Sequence, residues 1–190
     1  MTTDIPVTVI GGYLGAGKTT MVNHLLRHAA GRRIAILVNE FGDLPIDQDL
    51  IEAEGEDMIA ISGGCICCSF GSDLTAALIK LSELTPTPDH VVIEASGVAM
   101  PGTVALSISI LPGFVLSGVV VLADGERVQA QAEDDYIGDT ILRQLSDADV
   151  IVHSKTDLQP NDRAIEAVES WLQAMAPQAK IVPTVQGHVP

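Results

Sequence analysis

The sequence is poor in positive charge and in aromatic side chains. Of its 190 residues, 10 are Lys or Arg and 25 are Asp or Glu, which gives a formal net charge of -15. Aromatic residues make up only 3% of the chain. A chain this acidic repels phosphate backbones and anionic lipid, and it offers few aromatic platforms on which single-stranded bases could stack. We therefore expect no nucleic-acid partner and no membrane partner.

Cysteine is also scarce, and the three that occur are crowded into four positions, as Cys65, Cys67 and Cys68. An odd, crowded set of thiols cannot form a disulfide framework. Free thiols are typical of a reducing compartment. Residues 1–4 contain no basic region followed by an apolar stretch, so no signal peptide is predicted. The expected localisation is cytoplasmic.

An uninterrupted apolar helix is missing as well. Segment 95–123 carries no charged residue and is longer than the roughly 20 residues that cross a bilayer. Proline and glycine divide it, however, at Pro101, Gly102, Pro112, Gly113 and Gly118. Such residues favour a helix, a turn and a buried strand over one membrane-spanning helix.

Short apolar runs alternate along the chain with segments of helical periodicity. The predicted strands are 7–10, 34–38, 58–61, 91–94, 115–122, 150–153 and 181–184, and the predicted helices are 18–30, 69–84, 103–111, 134–146 and 161–175. This alternation indicates an α/β fold in which a mostly parallel sheet carries helices on both faces. The acidic, glycine-containing stretch 41–57 is expected to be a mobile loop. We expect residues 1–190 to form a single domain.

The most specific motif follows the first predicted strand. Residues 12–19 read Gly-Tyr-Leu-Gly-Ala-Gly-Lys-Thr, which matches Gly-x-x-x-x-Gly-Lys-Thr, and a predicted helix comes next. Glycines let the backbone curl so that its N–H groups face a phosphate chain. The motif predicts the P-loop NTPase fold, with Lys18 on the terminal phosphates and the Thr19 hydroxyl on Mg²⁺. The nucleotide-binding residues predicted here are Gly12, Gly15, Ala16, Gly17, Lys18, Thr19 and Thr20.

A second motif lies at the end of the predicted strand 91–94. Glu94 is an acidic residue at the end of a buried strand, where a nucleotide hydrolase places a carboxylate near its metal. Gly97 follows three residues later and can bring its N–H close to the γ-phosphate. We expect Glu94 to contribute to the Mg²⁺ site and Gly97 to contact the nucleotide.

The sequence Ser154-Lys155-Thr156-Asp157 has the spacing of the guanine-reading Asn-Lys-x-Asp motif of GTPases, with Ser in the leading position. A carboxylate accepts both donors of the guanine edge, so Asp157 is the expected base-reading residue. Lys155 can lay its aliphatic stem over the base, whereas Ser154 is too short to do everything that an Asn amide does. A polar helix N-terminus with Asp157 as its cap stays open as an alternative.

The three thiols lie in Gly63-Gly64-Cys65-Ile66-Cys67-Cys68, directly after the third predicted strand. Thiolates bind soft or borderline ions such as Zn²⁺, Co²⁺ and Cu⁺. Three neighbouring positions rarely close a tetrahedral site, and Glu40 is the candidate ligand from elsewhere. The alternative is that the thiols pack as small hydrophobic groups.

In combination these motifs resemble the CobW-like metallochaperone GTPases, which are relatives of the proteins that load nickel into hydrogenase and urease. The matching segments are 12–19, 39–47, 63–68 and 94–101, and 154–157 matches less closely. The resemblance implies a GTP- and GDP-binding, GTP-hydrolysing carrier that binds Zn²⁺ or Co²⁺ at the cysteines and delivers it to an unidentified client protein. It places Asp47 in the first switch segment, so that Lys18, Glu94 and Asp47 form the expected catalytic set. Many relatives have a further C-terminal domain, to which nothing in residues 1–190 corresponds.

Two other functions remain open at this point, and so does a homodimer. An ATP-dependent small-molecule kinase could use the same phosphate loop, but kinases need several arginines on the transferred group, and the six present form no lid-like run. A non-enzymatic thiol buffer or redox sensor would use the cysteines alone. Its metal affinity would not depend on nucleotide.

Overall fold

The computed structural model describes residues 4–29, 31–39, 58–63 and 72–187. Within them, seven strands form one sheet in the order β3-β2-β4-β1-β5-β6-β7. Every neighbouring pair is parallel. The strands are β1 (Ile5–Gly11), β2 (Ile34–Asn39), β3 (Met58–Gly63), β4 (His90–Glu94), β5 (Phe114–Asp124), β6 (Val150–Ser154) and β7 (Lys180–Pro183).

The helices connect these strands. They are α1 (Lys18–Arg27), α2 (Ser72–Ser82), α3 (Pro101–Ser109), α4 (Val128–Ala132), α5 (Gly138–Ser146) and α6 (Asp162–Met175), together with a short 3₁₀ turn at Thr156–Leu158. Helix α6 has a side-chain cap, because Asn161 accepts a hydrogen bond from the Ala164 N–H. Helix α3 begins at a proline, whose missing N–H costs nothing in the first turn.

The central strands β1, β2 and β4 are buried on both faces, and each face of the sheet has its own apolar core. Val7 and Val9 of β1 pack into a large core with residues of α2, α3, α5 and α6. Ile10, Ile36 and Val92 point to the other face, where they pack with α1. This burial explains why the strands read as Val- and Ile-rich runs without polar alternation. The predicted parallel sheet flanked by helices is confirmed.

All seven predicted strands and all five predicted helices are found, but several predicted ends are wrong. Helix α1 ends at Arg27 and not at 30, and α3 begins at Pro101 and not at 103. The helix predicted from 134 begins at Gly138, because the Asp134 carboxylate caps the N–H groups of two following residues in a turn. Helix α4 was not predicted, since five residues are too few to show a helical period. Segment 41–57 and the predicted helix start at 69–71 lie outside the described residues.

The uncharged segment 95–123 forms a turn, helix α3 and most of β5, as its breakers predict. In the described ranges, no helix combines the length and the apolar character that a membrane crossing requires.

The carboxyl ends of the four central strands meet at one edge of the sheet. Ile10 pairs with Glu94, and Asp124 pairs with Ser154. In parallel α/β sheets, ligands bind in the crevice outside this edge. The fold therefore places the phosphate loop, Glu94, Asp124 and residues 154–157 around a common crevice.

Candidate nucleotide-binding site

The phosphate loop connects β1 to α1, and its glycines adopt conformations that other residues avoid. Gly12, Gly15 and Gly17 have φ values of 125°, 77° and 102°. A Cβ on Gly12 would also lie 2.5 Å from the backbone oxygen of Leu122 in β5. Glycine is therefore required at position 12 both for its dihedral angle and for the close approach of β5.

Lys18, the first residue of α1, folds its side chain back over the loop. Its Nζ donates hydrogen bonds to Gly12 O at 2.8 Å and to Tyr13 O at 3.3 Å. Burial lowers the pKa of Lys18, and the negative charge of Glu94 opposes that shift. The ammonium group is thus held inside the curl of the loop, where the sequence predicted a phosphate-contacting lysine.

Thr19 and Glu94 lie side by side at the mouth of the loop. Thr19 Oγ1 donates to Glu94 Oε1 at 3.1 Å, and Glu94 is only 6% exposed. A hydroxyl and a buried carboxylate are hard oxygen donors of the kind that Mg²⁺ prefers. The donor set therefore fits the predicted Mg²⁺ site, although the two residues are 75 positions apart in the chain.

The turn after β4, residues 96–99 and called here the Gly97 turn, packs directly against the phosphate loop. Its chain reversal is closed by a hydrogen bond from Ala99 N to Ser96 O at 2.9 Å. A Cβ on Gly97 would lie 2.5 Å from Leu14 Cδ2 and 2.8 Å from Leu14 N. Gly97 thus lies against the phosphate loop, and the expected contact between its N–H and the γ-phosphate stays a prediction.

A cleft of about 240 Å³ opens beside the phosphate loop, and it is called here the base cleft. The residues that line it come from the phosphate loop and α1, from β5, from the end of β6 and the turn after it, and from the segment after β7: Ala16, Gly17, Thr20, Leu122, Ser154, Lys155, Asp157, Leu158, Thr184, Gln186 and Gly187. Asp157 lies in the exposed 3₁₀ turn at its rim. The structure therefore brings the Ser-Lys-Thr-Asp motif to the same crevice as the phosphate loop.

Ser154 makes a contact that its short side chain permits. Its Oγ lies 2.7 Å from Ala16 O and 3.1 Å from Ala123 O, and the residue is 6% exposed. The hydroxyl therefore ties the end of β6 both to the phosphate loop and to β5. From its sequence motif, Ser154 is only an incomplete substitute for Asn, and this link has no local sequence signal.

Lys155 is held by an ion pair with a partner that lies 31 positions away in the sequence. Its Nζ donates to Asp124 Oδ2 at 2.7 Å, and Asp124, the last residue of β5, is 4% exposed. Lys155 itself has a left-handed backbone with φ of 59°. Lys155, with its ammonium fixed at Asp124, is also one of the residues that line the base cleft.

The neighbouring His153 is completely buried at the end of β6. Burial lowers the pKa of His153, while the carboxylates of Glu169 and Asp124 oppose that shift. The imidazole is consequently neutral at pH 7, since its ordinary pKa is already below that value.

Several residues around the site were missed because only the folded chain brings them together. They are Asp124, which binds Lys155, Gln144, which binds the turn after β4, and Thr184, Gln186 and Gly187, which line the base cleft. The acidic end of the Val-rich run 115–124 was a visible signal for Asp124. For the others no local signal exists. Glu40, Asp47, Cys65, Cys67 and Cys68 lie outside the described residues.

These features define a P-loop nucleotide-binding protein: strand β1, the glycine loop that follows it, the buried Lys18 and the adjacent Thr19–Glu94 pair. Residues 6–183 match the family described as "CobW/HypB/UreG, nucleotide-binding domain". The chain belongs to this family, and the resemblance stated from the motifs is confirmed.

Similar proteins with zinc-related names are found in bacteria and yeast. The chain is 38% identical over 182 residues to "Zinc chaperone CobW" of Sinorhizobium sp, covering 81% of this chain and 51% of that protein. It is 32% identical over 195 residues to "Zinc-regulated GTPase metalloprotein activator 1" of Schizosaccharomyces pombe, covering 97% and 47%. The chain thus spans about half the length of these curated relatives.

A solved structure shows the same fold. The crystal structure of Zn(II)-bound YjiA GTPase from E. coli superposes with a TM-score of 0.67 at 27% identity, covering 94% of this chain and 57% of that one.

Proposed function

We propose that this domain binds GTP and GDP and hydrolyses GTP in the presence of Mg²⁺. The observation that carries the proposal is the position of the base cleft. Ala16, Gly17 and Thr20 of the phosphate loop and α1 line the same cleft as Asp157. A single nucleotide can therefore place its phosphates in the loop and its base against Asp157.

In the proposed reaction, the residues of this chain bind and orient the triphosphate. The loop N–H groups and the positive end of α1 hold the phosphates. Lys18 exchanges its hydrogen bonds to Gly12 O and Tyr13 O for phosphate oxygens, where its charge offsets the charge of the leaving group. The N–H of Gly97 contacts the γ-phosphate.

Thr19 and Glu94 are the residues that would hold Mg²⁺. When bound, the ion neutralises charge on the β- and γ-phosphates. Glu94 already accepts a hydrogen bond from the Thr19 hydroxyl, and its proposed role is to orient that hydroxyl. We propose Asp47 as the further residue of the catalytic set, in the first switch segment.

We further propose that Cys65, Cys67, Cys68 and Glu40 bind the transported metal ion. Support comes from the register of β2 and β3, in which Asn39 pairs with Gly63. Glu40 follows Asn39 directly, and Cys65 comes two residues after Gly63, so both segments begin at adjacent strand ends. Zn²⁺ is favoured over Co²⁺, because the relatives are named for zinc.

The proposed metal site begins beside the proposed Mg²⁺ site. Val38 of β2 pairs with Glu94 of β4, one residue before Asn39. A change in the Glu94 region when γ-phosphate is lost can therefore reach the metal ligands through neighbouring strand ends. This geometry supports a carrier whose metal affinity depends on the nucleotide. We propose that the carrier acts in the cytoplasm and delivers its metal to a client metalloprotein.

Titration calorimetry with GTP, GDP and ATP in the presence of Mg²⁺, followed by an assay of phosphate release, tests the nucleotide proposal. We expect GTP and GDP to bind more tightly than ATP and GTP to be hydrolysed slowly. Lys180→Met, on an exposed lysine of β7, is the matched control for variants of Lys18. Preference for ATP, or transfer of phosphate to a small molecule, would instead support a kinase.

A further inference from the structure

Gln144 is a fully buried polar residue on the core-facing side of α5. It is 1% exposed, and its neighbours on the same face, Ile141 and Leu145, are buried apolar residues. An amide buried without hydrogen bonds would destabilise the fold. A role at this position therefore has to come from what the amide binds.

The Gln144 amide binds the Gly97 turn. Its Nε2 donates to Gly97 O at 3.0 Å and to Ala99 O at 2.8 Å. Directly after the end of α5, Asp147 Oδ2 accepts a hydrogen bond from Gly102 N, in the first turn of α3, at 2.9 Å. Side chains of α5 and of the residue that follows it thus hold the segment between β4 and α3.

The Gly97 turn is consequently held between two elements. Leu14 of the phosphate loop contacts it on one side, so closely that no Cβ fits on Gly97. Gln144 fixes two of its carbonyl groups from α5. A cavity of only about 10 Å³ adjoins Gln144, which is at the lower limit for one water molecule. Water therefore has little room to replace the amide.

We infer that Gln144 is a positioning residue that orients the Gly97 turn toward the γ-phosphate, so that discrimination between GTP and GDP depends on it. The inference rests on the proposed nucleotide function. GDP binding uses the phosphate loop and the base cleft, neither of which Gln144 holds. A γ-phosphate additionally needs the Gly97 N–H, whose direction depends on the two carbonyl anchors.

The test is Gln144→Met, which keeps the side-chain length and removes the donor. We expect affinity for a non-hydrolysable GTP analogue to fall about tenfold, as for one lost hydrogen-bonding interaction, and GDP affinity to stay within about twofold. Gln173→Met is the matched control, because Gln173 also donates to backbone carbonyls, but at the end of α6. The control should change neither affinity.

Two measurements keep the inference testable whatever the variant does. In nucleotide-free protein, the Ala99 amide should exchange its hydrogen faster in Gln144→Met than in wild type. In wild type, the side-chain amide NMR signal of Gln144 should shift between the GDP and GTP-analogue complexes, and that of Gln173 should not.

Equal loss of GTP-analogue and GDP affinity, or an unchanged ratio, would overturn the inference. A Gln144 side-chain NMR signal with the same position in the GDP and GTP-analogue complexes would also overturn it. If the wild-type protein binds neither nucleotide, the proposed function is wrong. In that case the hydrogen exchange rate of the Ala99 amide, compared between Gln144→Met and wild type, still decides whether Gln144 holds the turn.

Discussion

The ion pair between Asp124 and Lys155 allows a quantitative prediction, because its two partners differ in exposure. The Asp124 side chain is 4% exposed and that of Lys155 is 32% exposed. Asp124 also accepts from Glu126 N at 3.0 Å through its other oxygen. Asp124→Asn keeps an acceptor for Glu126 but places an N–H₂ group against the ammonium.

The expected cost of Asp124→Asn in unfolding free energy is about 1–2 kcal/mol. A hydrogen bond to a charged group contributes about 1.5–3 kcal/mol, and Lys155 can turn to water once its partner is lost, which reduces the cost. Removing the charge of the other partner, Lys155, should cost more. Lys155→Met leaves the buried carboxylate without its cation, a situation that costs up to about 3–5 kcal/mol.

Urea unfolding of the two single variants and of the double variant measures these terms. We expect the double variant to be more stable than the sum of the single costs predicts, since each single change strands the other partner. GTP affinity should fall in both single variants, because the Lys155 stem is no longer held along the base cleft. Lys180→Met should leave stability and affinity unchanged.

Additive costs in this cycle, or a Lys155→Met variant as stable as wild type, would refute the reasoning. Either result would mean that the 2.7 Å contact contributes no net interaction energy.

Three further predictions concern the phosphate loop and the base. Lys18→Met should abolish tight GTP binding while the protein stays folded, as measured by calorimetry and circular dichroism. Burial lowers the pKa of Lys18 below its ordinary 10.5, so the folded state releases this proton at a lower pH than the unfolded state does. The free energy of unfolding of wild type should therefore rise relative to that of Lys18→Met as the pH increases toward 10.5. A stability difference between the two proteins that stays constant across that range, measured by urea unfolding, would contradict this prediction. Gly12→Ala should destabilise the fold by about 2–4 kcal/mol, because the new Cβ is strained and overlaps Leu122. Gly15→Ala has open space at its Cβ position and should cost about 1–2 kcal/mol. Equal costs for the two variants would argue against the contact of Gly12 with β5. Asp157→Asn should weaken GTP binding about tenfold or more and improve XTP binding, because xanthine has a carbonyl in place of the guanine amine; unchanged affinities for both would show that Asp157 does not read the base.

The strands and most helices were predictable because their signals are local. A strand covered on both faces has to be apolar throughout, and α1 follows from the glycine loop and its periodicity. The helix ends were less predictable. The capping by Asp134 depends on one carboxylate meeting two N–H groups, and a polar residue of this type fits a helix as readily as a turn.

The site was predictable where a motif carries its own geometry. Lys18, Thr19 and Gly97 lie at the phosphate loop and Asp157 lies at the base cleft, while their roles toward the nucleotide stay predictions. Gln144 could not be identified, because its partners are more than 40 residues away and a glutamine in a helix has no fixed role.

The central proposal is that nucleotide and metal binding are coupled, and the most direct test is the zinc affinity of wild type in its two nucleotide states. Competition with a chromophoric chelator measures that affinity in the presence of GDP or of a non-hydrolysable GTP analogue, with Mg²⁺ in both. The same measurement on Cys67→Ser is the control that identifies which part of the zinc binding depends on the thiols. We predict affinities that differ by about 5- to 150-fold, the range of coupling free energies of about 1–3 kcal/mol. Equal zinc affinity in the two states would contradict a nucleotide-controlled metal carrier.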